Sequence, residues 1–369
     1  MSLAHVLLTS LIEKPSTGFE LARRFDRSMG FFWNATHQQI YRELNGMQKK
    51  GWISTLEDQA DQGRICMPHY TMPDGEKLFV REIGQGEPVV VLSGLGMHSW
   101  QWLPFLLPNI KQYKFYIPDW RGFGGSKTCN IPQDIDAISN HWRDLDSLID
   151  QLNLDNFILM GYSMGATTAM HGMQYGNLAG KLKAYLHIDQ TPKIPTDDTW
   201  EFGLFGKKYF KIKRLLKDFS DFLHQYSQYR FVDELPIEPR TELIQIWLNF
   251  IKIQGSNKLS PFMFNLALKH PQLQKHLLPI RRMDYLTWYI DNYLNHDEDY
   301  RDAIAQLACP TTFFIGEKSS LYPAEGQMQV SNSLINAKNI IFKRSGHTPL
   351  ITEPVKFSQE IRSFLKQSA

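Results

Sequence analysis

The chain has 369 residues, which at roughly 150 residues per domain predicts two or three folded units. Hydrophobic residues make up 43% of the chain and aromatic residues 13%, so a mainly disordered chain is excluded. The 40 Lys and Arg residues nearly balance the 38 Asp and Glu residues, and the resulting net charge of +2 argues against a chain built as a polyanion binder but leaves a local basic face open.

The three cysteines, Cys66, Cys129 and Cys309, lie far apart, and their odd number and spacing fit neither a disulfide framework nor a zinc site. No apolar run approaches the roughly 18 residues of a membrane span, and the first residues lack the features of a signal peptide. The sequence contains no phosphate-binding loop, no dinucleotide-binding glycine motif in the right context and no cluster of metal ligands. We therefore expect a cytoplasmic protein with no cofactor, no metal and no membrane partner.

Helical periodicity dominates the first part of the chain. One helix ends at Pro15, a second closes near Gly30, and a third covers residues 37–50 before Gly51 ends it. Two extended stretches follow, residues 52–54 and 65–72, on either side of a polar tip. Three helices and a two-stranded wing predict a winged helix-turn-helix domain over residues 1–69.

The segments LLTSLIEKPSTGFELARRFD and FFWNATHQQIYRELNGMQKKGWIS resemble the N-terminal module of PadR-type transcriptional regulators. In that family the third helix enters the major groove of DNA and the wing contacts phosphates, so the resemblance implies double-stranded DNA as a partner. The residues that the resemblance places at the DNA lie on the third helix and are His37, Gln38, Gln39, Tyr41 and Arg42. Those that it places near the DNA backbone are Lys49, Lys50 and Arg64.

The charge and the end of this module depart from that pattern. Between residues 1 and 70, eight Lys and Arg residues face seven Asp and Glu residues, so the module is almost neutral. The long helix through which these regulators dimerise is absent, which leaves both a monomer and a homodimer open. An interaction module that no longer binds DNA is the alternative.

From residue 70 onward, short apolar strands alternate with helices, which predicts an α/β fold with a mostly parallel sheet covered on both faces. The predicted strands are 77–83, 88–93, 113–118, 156–160, 184–188, 311–315 and 339–342. Helical periodicity over residues 193–300 interrupts the alternation and predicts an inserted cap. The segment 200–300 holds 19 of the 47 aromatic residues, which suits both the cap's own core and an apolar substrate pocket below it.

Gly161-Tyr162-Ser163-Met164-Gly165 follows a predicted strand and precedes a predicted helix. A nucleophile on such a tight turn has strained backbone angles, and small flanking residues let the strand and the helix approach each other. The pattern therefore makes Ser163 a candidate nucleophile and the Met164 amide a candidate oxyanion donor. After the strand at 88–93, the glycine-rich turn Gly94-Leu95-Gly96 offers the Leu95 amide as the second donor.

These motifs, the loop DWRGFGGS at residues 119–126 and the order of the strands resemble the α/β-hydrolase superfamily over residues 70–369. The resemblance implies a catalytic histidine after the last strand, where this chain has Gly346-His347. It also implies an acid after the seventh strand, but Ser319 occupies that position. Some capped members take the acid from the end of the sixth strand, which here is Asp189, and Glu317 and Glu325 are alternatives.

Ser163, His347 and Asp189 together predict a serine hydrolase that transfers an acyl group from a small or medium apolar ester to water, in the manner of a carboxylesterase. Carbon–carbon hydrolases, perhydrolases and lactonases share the serine and stay open. The alternative from a different class is a transcriptional regulator whose hydrolase-like domain senses a ligand without turnover, because Ser319 replaces the expected acid.

Overall fold

The computed structural model describes residues 37–49, 65–254 and 280–368, together with the single positions 7, 8, 10, 11, 16, 21, 52, 53, 268 and 274. The helices whose bounds it gives are α1 His37–Lys49, α2 Leu103–Leu106, α3 Ala137–Gln151, α4 Met164–Tyr175, α5 Leu178–Lys181, α6 Tyr209–Gln225, α7 Ile237–Gln254, α8 Met283–Asn295, α9 Arg301–Ala305, α10 Ala324–Asn332, α11 Pro349–Thr352 and α12 Pro354–Ser368. The strands are β1 His69–Thr71, β2 Lys77–Gly84, β3 Glu87–Leu92, β4 Tyr113–Pro118, β5 Phe157–Tyr162, β6 Leu182–Ile188, β7 Thr311–Gly316 and β8 Ala337–Phe342.

The eight strands form one sheet in the order β1-β2-β4-β3-β5-β6-β7-β8. The first two strand pairs are antiparallel and all the others are parallel. Parallel strands place their carboxyl ends at one edge of the sheet, and ligands of open α/β sheets bind in the crevice outside that edge. The α/β fold class is thereby confirmed.

Both faces of the sheet are buried, and alternate residues of one strand enter different cores. On β3, Val89 and Val91 belong to the core that includes α12, whereas Val90 and Leu92 belong to the core shared with α3, α4 and the cap. All four side chains have no exposed surface. A strand buried on both sides needs apolar residues at every position, which explains the run of Val and Leu in the sequence.

The long insertion between β6 and β7, here called the cap, contains α6, α7 and α8. Helix α8 joins the cap to the sheet domain, where Arg282 donates to the backbone oxygen of Cys129 at 3.1 Å and the Tyr285 hydroxyl donates to the same oxygen at 3.0 Å. The Trp288 indole also donates to the backbone oxygen of Ile135 at 2.8 Å. The cap is therefore anchored beside the loop that follows β4.

The structure changes the prediction of a two-stranded wing. Trp52 and Ile53 are not in a strand, and β1 pairs with β2 of the large sheet, with His69 opposite Phe79. The edge of β2 offers a full set of backbone partners, so the stretch predicted as the second wing strand begins the large sheet instead. The predicted domain boundary between residues 69 and 70 lies within β1. The position of that boundary stays a prediction.

Candidate active site

Ser163 lies on the turn between β5 and α4 with φ 52° and ψ −122°, a strained backbone for a residue other than glycine. The turn is possible because its neighbours are small. A Cβ on Gly161 would lie 2.9 Å from the Cα of Ala166, and a Cβ on Gly165 would lie 2.4 Å from the backbone oxygen of Leu92. The turn therefore presents the Ser163 hydroxyl at the carboxyl edge of the sheet.

Ser163, His347 and Asp189 form one hydrogen-bonded chain. The Nε2 atom of His347 lies 3.0 Å from the Oγ of Ser163, and its Nδ1 atom lies 2.7 Å from the Oδ2 of Asp189. The three residues come from the ends of β5 and β6 and from the loop after β8, so the parallel sheet brings together positions that are up to 184 residues apart. The imidazole can therefore bridge a hydroxyl and a carboxylate.

Asp189 is completely buried and accepts hydrogen bonds from four donors. Its Oδ1 accepts from the Gly316 amide at 3.0 Å and from Gln327 Nε2 at 3.1 Å, and its Oδ2 accepts from the Ser319 hydroxyl at 2.7 Å and from His347. Hydrogen bonds of this kind stabilise the charged form of a buried carboxyl. Ser319, at the position where the family resemblance implies an acid, thus supports the carboxylate that lies on the neighbouring strand.

Backbone strain also marks Asp189, whose φ is 43°. Only five described residues other than glycine have a positive φ, and Ser163 and Asp189 are two of them. Strained residues persist where the surrounding structure over-determines them, and they cluster at functional sites. The two ends of the hydrogen-bonded chain are therefore both held in unusual conformations.

The Met164 amide is at the first position of α4. The amides of Ala166 and Thr167 donate to the Ser163 carbonyl, whereas an amide at the very first helical position, as at Met164, precedes every carbonyl that the helix could offer it. Gly94 lies close to Ser163 on the other side, because a Cβ added to it would be 3.2 Å from the Cβ of Ser163. The Met164 amide and the backbone at Gly94 therefore lie on two sides of Ser163, and the Leu95 amide stays a prediction.

The loop that carries Leu95 is anchored at Ser93. The Trp120 indole donates to the Ser93 carbonyl at 2.7 Å, and the Trp102 indole donates to its hydroxyl at 3.0 Å. The Met97 amide closes the turn onto the Gly94 carbonyl at 3.1 Å. A serine at position 93 therefore fixes the loop through two indoles, a contact that the local sequence pattern did not reveal.

Two tyrosines pack on the imidazole, and the sequence reasoning missed both of their roles. The Tyr162 ring stacks on His347 at 5.3 Å between centroids, and its hydroxyl donates to the His347 carbonyl at 2.9 Å. Burial and the charge of Asp189 raise the pKa of the Tyr162 hydroxyl, which therefore stays a donor. The buried Tyr322 ring meets His347 edge-on, also at 5.3 Å.

The alternative acids lie elsewhere. Glu317 and Glu325 are exposed, whereas the carboxylate bonded to His347 is that of Asp189.

Within the described ranges, no group of three or more His, Cys, Asp or Glu residues could hold a metal ion. None of the helices described above is long and apolar enough to cross a membrane.

Helix α1 buries Ile40 and Met47 and exposes the opposite side. Exposed side chains on that side include the sequence-predicted Gln38, Gln39, Tyr41 and Arg42, together with Asn45, Gln48 and Lys49. Arg64 and Lys50, also predicted near DNA, lie outside the described residues, and for His37 the structure describes only the backbone. A polar, solvent-facing side is what a recognition helix requires.

Two family models match different parts of the chain. Residues 87–354 match the family model of the alpha/beta hydrolase fold. Residues 7–71 match the model of the transcriptional regulator PadR-like family, so the PadR resemblance is confirmed. The probable transcriptional regulator Rv1176c of Mycobacterium tuberculosis is 60% identical over 53 residues, which cover 14% of this chain and 28% of that regulator.

Relatives of the larger part are similar over nearly their whole length. The AB hydrolase superfamily protein YisY of Bacillus subtilis is 25% identical over 301 residues, which cover 81% of this chain and 99% of that protein. The structure of an esterase from Exiguobacterium antarcticum superimposes with a TM-score of 0.61 at 21% identity and covers 82% of this chain and 100% of that one. At this identity the structural match establishes the shared fold.

Proposed function

The chain belongs to the α/β-hydrolase fold family, and we propose that its larger part hydrolyses ester-like bonds with Ser163 as the nucleophile. The observation that carries the proposal is the chain of hydrogen bonds from Ser163 Oγ through His347 to Asp189 Oδ2, at 3.0 and 2.7 Å. A serine alone is a weak nucleophile, and an imidazole within hydrogen-bond reach removes its proton as the bond to carbon forms.

The reaction proceeds in two acyl transfers. His347 Nε2 accepts the hydroxyl proton while Ser163 Oγ attacks the carbonyl carbon, and the carbonyl oxygen becomes an oxyanion between the amides of Leu95 and Met164. The tetrahedral intermediate collapses, the imidazolium protonates the departing alcohol, and an acyl-enzyme remains. Water, activated by His347, then releases the acid and regenerates Ser163.

Asp189 orients the imidazole and stabilises its charged form. Its Oδ2 faces Nδ1 of His347, so the proton on the ring occupies Nδ1 and leaves Nε2 free to accept from Ser163. The four donors around Asp189 supply the stabilisation that a buried carboxylate needs while the imidazole is neutral. The acid therefore comes from the end of β6, and Ser319 does not leave the triad incomplete.

Small or medium apolar esters suit the surroundings of Ser163. Tyr322 belongs to an apolar cluster with the cap residues Tyr209 and Ile212, and its ring also contacts His347. The solved relative from Exiguobacterium antarcticum is named an esterase. Apolar walls bind an acyl chain by burial, while the two amides and the triad select the carbonyl.

Turnover of a series of p-nitrophenyl esters of increasing acyl length tests the proposal. We expect hydrolysis that is lost in Ser163→Ala and kept in Ser147→Ala, a matched substitution on the distant helix α3. If no acyl length gives turnover that depends on Ser163, the hydrolase proposal fails. A ligand sensor without turnover, the second function class, then becomes the better description of this domain.

We propose that the PadR-like part binds double-stranded DNA through the exposed side of α1. The support is the family match over residues 7–71 and the row of exposed polar side chains that includes Gln39 and Arg42. Loss of a base contact weakens binding by about 1–3 kcal/mol, and loss of a phosphate contact lowers the salt dependence. A labelled fragment upstream of the protein's own coding region provides the measurement, with Gln39→Ala and Arg42→Ala against Arg362→Ala on α12. Unchanged binding by both α1 variants contradicts the proposal.

A further inference from the structure

The start of helix α6 in the cap, together with the turn that precedes it, carries a strongly basic surface, here called the basic face. It consists of seven exposed residues between positions 207 and 217, namely Lys207, Lys208, Phe210, Lys211, Lys213, Arg214 and Lys217. No Asp or Glu interrupts this stretch. Without its six cations, the remaining 34 Lys and Arg residues of the chain would face 38 Asp and Glu residues. An overall net charge near zero therefore conceals a local concentration of positive charge.

Most of these cations have no ion-pair partner in the part of the chain that the structure describes. Lys217 forms an ion pair with Asp221, and the ammonium of Lys213 lies 5.8 Å from the centre of the Tyr209 ring. The other four cations make no ion pair with any residue that the structure describes. Repulsion among unpaired cations opposes folding, so a surface of this kind is better suited to an anionic partner than to stability.

Phe210 distinguishes the basic face from an ordinary solvated helix surface, because its side chain is 69% exposed. Phe210, Arg214 and Lys217 follow the spacing that places side chains on one side of a helix. The exposed aromatic ring therefore shares its side of the helix with two of the cations. This combination is typical of surfaces that attach to anionic membranes, where cations contact headgroups and the ring enters the interface.

The opposite side of α6 faces the candidate active site. Tyr209, Ile212 and Leu216 pack in one apolar cluster with Tyr322, and Tyr322 contacts the imidazole of His347. The apolar side of the helix is therefore occupied by the protein itself. A surface held by the basic face would therefore lie on the side of α6 that points away from Tyr322.

We propose that the basic face docks this protein on an anionic lipid surface. The contact is peripheral, through headgroup phosphates and the ring of Phe210, and it does not depend on catalysis. The sequence-based expectation of no membrane partner rested on the lack of a spanning segment, which does not address a peripheral contact. Docking brings the cap of a hydrolase of apolar esters to the phase in which such esters dissolve.

DNA is the other polyanion that this chain could meet, and the sheet order disfavours it here. The PadR-like part continues into β1, whereas the cap is inserted after β6, five positions along the sheet. At a strand spacing of about 4.8 Å, the two attachment points are roughly 24 Å apart. Phosphate contacts to DNA also make no use of an exposed phenylalanine. The α1 surface and the basic face therefore belong to parts of the chain that join the sheet at separate strands.

Vesicle sedimentation with the full chain tests the proposal. The protein carries Ser163→Ala so that turnover plays no part, and the vesicles are phosphatidylcholine alone or phosphatidylcholine with about 30% anionic phosphatidylglycerol. We expect binding only to the anionic vesicles, weakened by salt. Each Lys or Arg near such a surface contributes about fivefold in partitioning, so Lys211→Gln with Arg214→Gln should weaken binding about 25-fold. Phe210→Ser should weaken it about tenfold.

Arg362→Gln with Lys366→Gln on α12 is the matched control, because it also removes two exposed cations. Equal binding of the parent protein to both vesicle types overturns the proposal, as does an equal loss in the control. If the Lys211 and Arg214 variant loses affinity for a random DNA duplex and keeps its vesicle binding, the basic face is a nucleic-acid surface instead. Hydrolysis of a soluble ester is measured in parallel with chains that retain Ser163. Vesicle binding without ester hydrolysis then contradicts the proposed hydrolase and leaves the lipid contact supported.

Discussion

Asp189→Asn is the substitution that separates catalysis from folding most cleanly. The amide has the same shape as the carboxylate, and its oxygen can still accept from Gly316 and Gln327, which bond Oδ1 at 3.0 and 3.1 Å. At the other position an NH₂ group replaces Oδ2, which lies 2.7 Å from Nδ1 of His347. The amide then donates to Nδ1, so the ring proton moves to Nε2 and the base can no longer accept from Ser163.

Loss of the correct tautomer and of the charge that stabilises the imidazolium lowers kcat by about 10⁴-fold in serine hydrolases with this geometry. We therefore expect kcat for p-nitrophenyl butyrate to fall by about 10⁴-fold, with KM changed much less. The thermal midpoint, measured in parallel, reports whether the fold is retained. Glu317→Gln and Glu325→Gln make the same chemical change at exposed positions and should leave kcat unaltered. Activity of Asp189→Asn within tenfold of the parent, or loss in either control, refutes the assignment of the acid.

Three further substitutions test other parts of the structure. The double variant Asp189→Asn with Ser319→Asp returns a carboxylate on the neighbouring loop, where the Ser319 hydroxyl lies 2.7 Å from Asp189 Oδ2. We expect kcat to recover at least tenfold over Asp189→Asn, which is about 1.4 kcal/mol. No recovery contradicts this expectation. Gly165→Ala should lower the free energy of unfolding in urea by about 1–3 kcal/mol, since its Cβ would lie 2.4 Å from the backbone oxygen of Leu92, and an unchanged midpoint argues against a close-packed elbow. Burial lowers the pKa of His187 from 6.5 to about 4, so between these pH values the unfolded chain binds more protons than the folded one. The free energy of unfolding should therefore fall by about 3 kcal/mol as the pH is lowered through that window. His187→Gln should flatten this pH slope, and an equal slope in both proteins contradicts it.

Short-range signals in the sequence predicted most of the sheet and the tight turn that carries Ser163. Strands buried on both sides are continuous apolar runs, and the strand predicted at residues 113–118 has those bounds in the structure. The turn around Ser163 is partly local in the same way, because Gly161 is required by the close approach of Ala166 on the helix that follows. Features of this kind are readable without a fold.

Long-range contacts were not readable in that way. Gln327 bonds Asp189 across 138 positions, and nothing in its helix indicates that contact. The stretch at residues 69–71 has the pattern of any edge strand, and only the structure identifies β2 as its partner. Strand pairing depends on which edge is available in three dimensions, so a local pattern cannot distinguish a wing from a sheet.

Labelling with a fluorophosphonate reagent tests the central proposal most directly, because such reagents phosphonylate only a serine that a neighbouring base activates. Intact mass spectrometry should detect one adduct per chain, and peptide mapping should place it on Ser163. Ser163→Ala should stay unlabelled, and Asp189→Asn should label far more slowly than the parent protein. No adduct on the folded parent chain, or an adduct on a different residue, contradicts a serine hydrolase built on Ser163, His347 and Asp189.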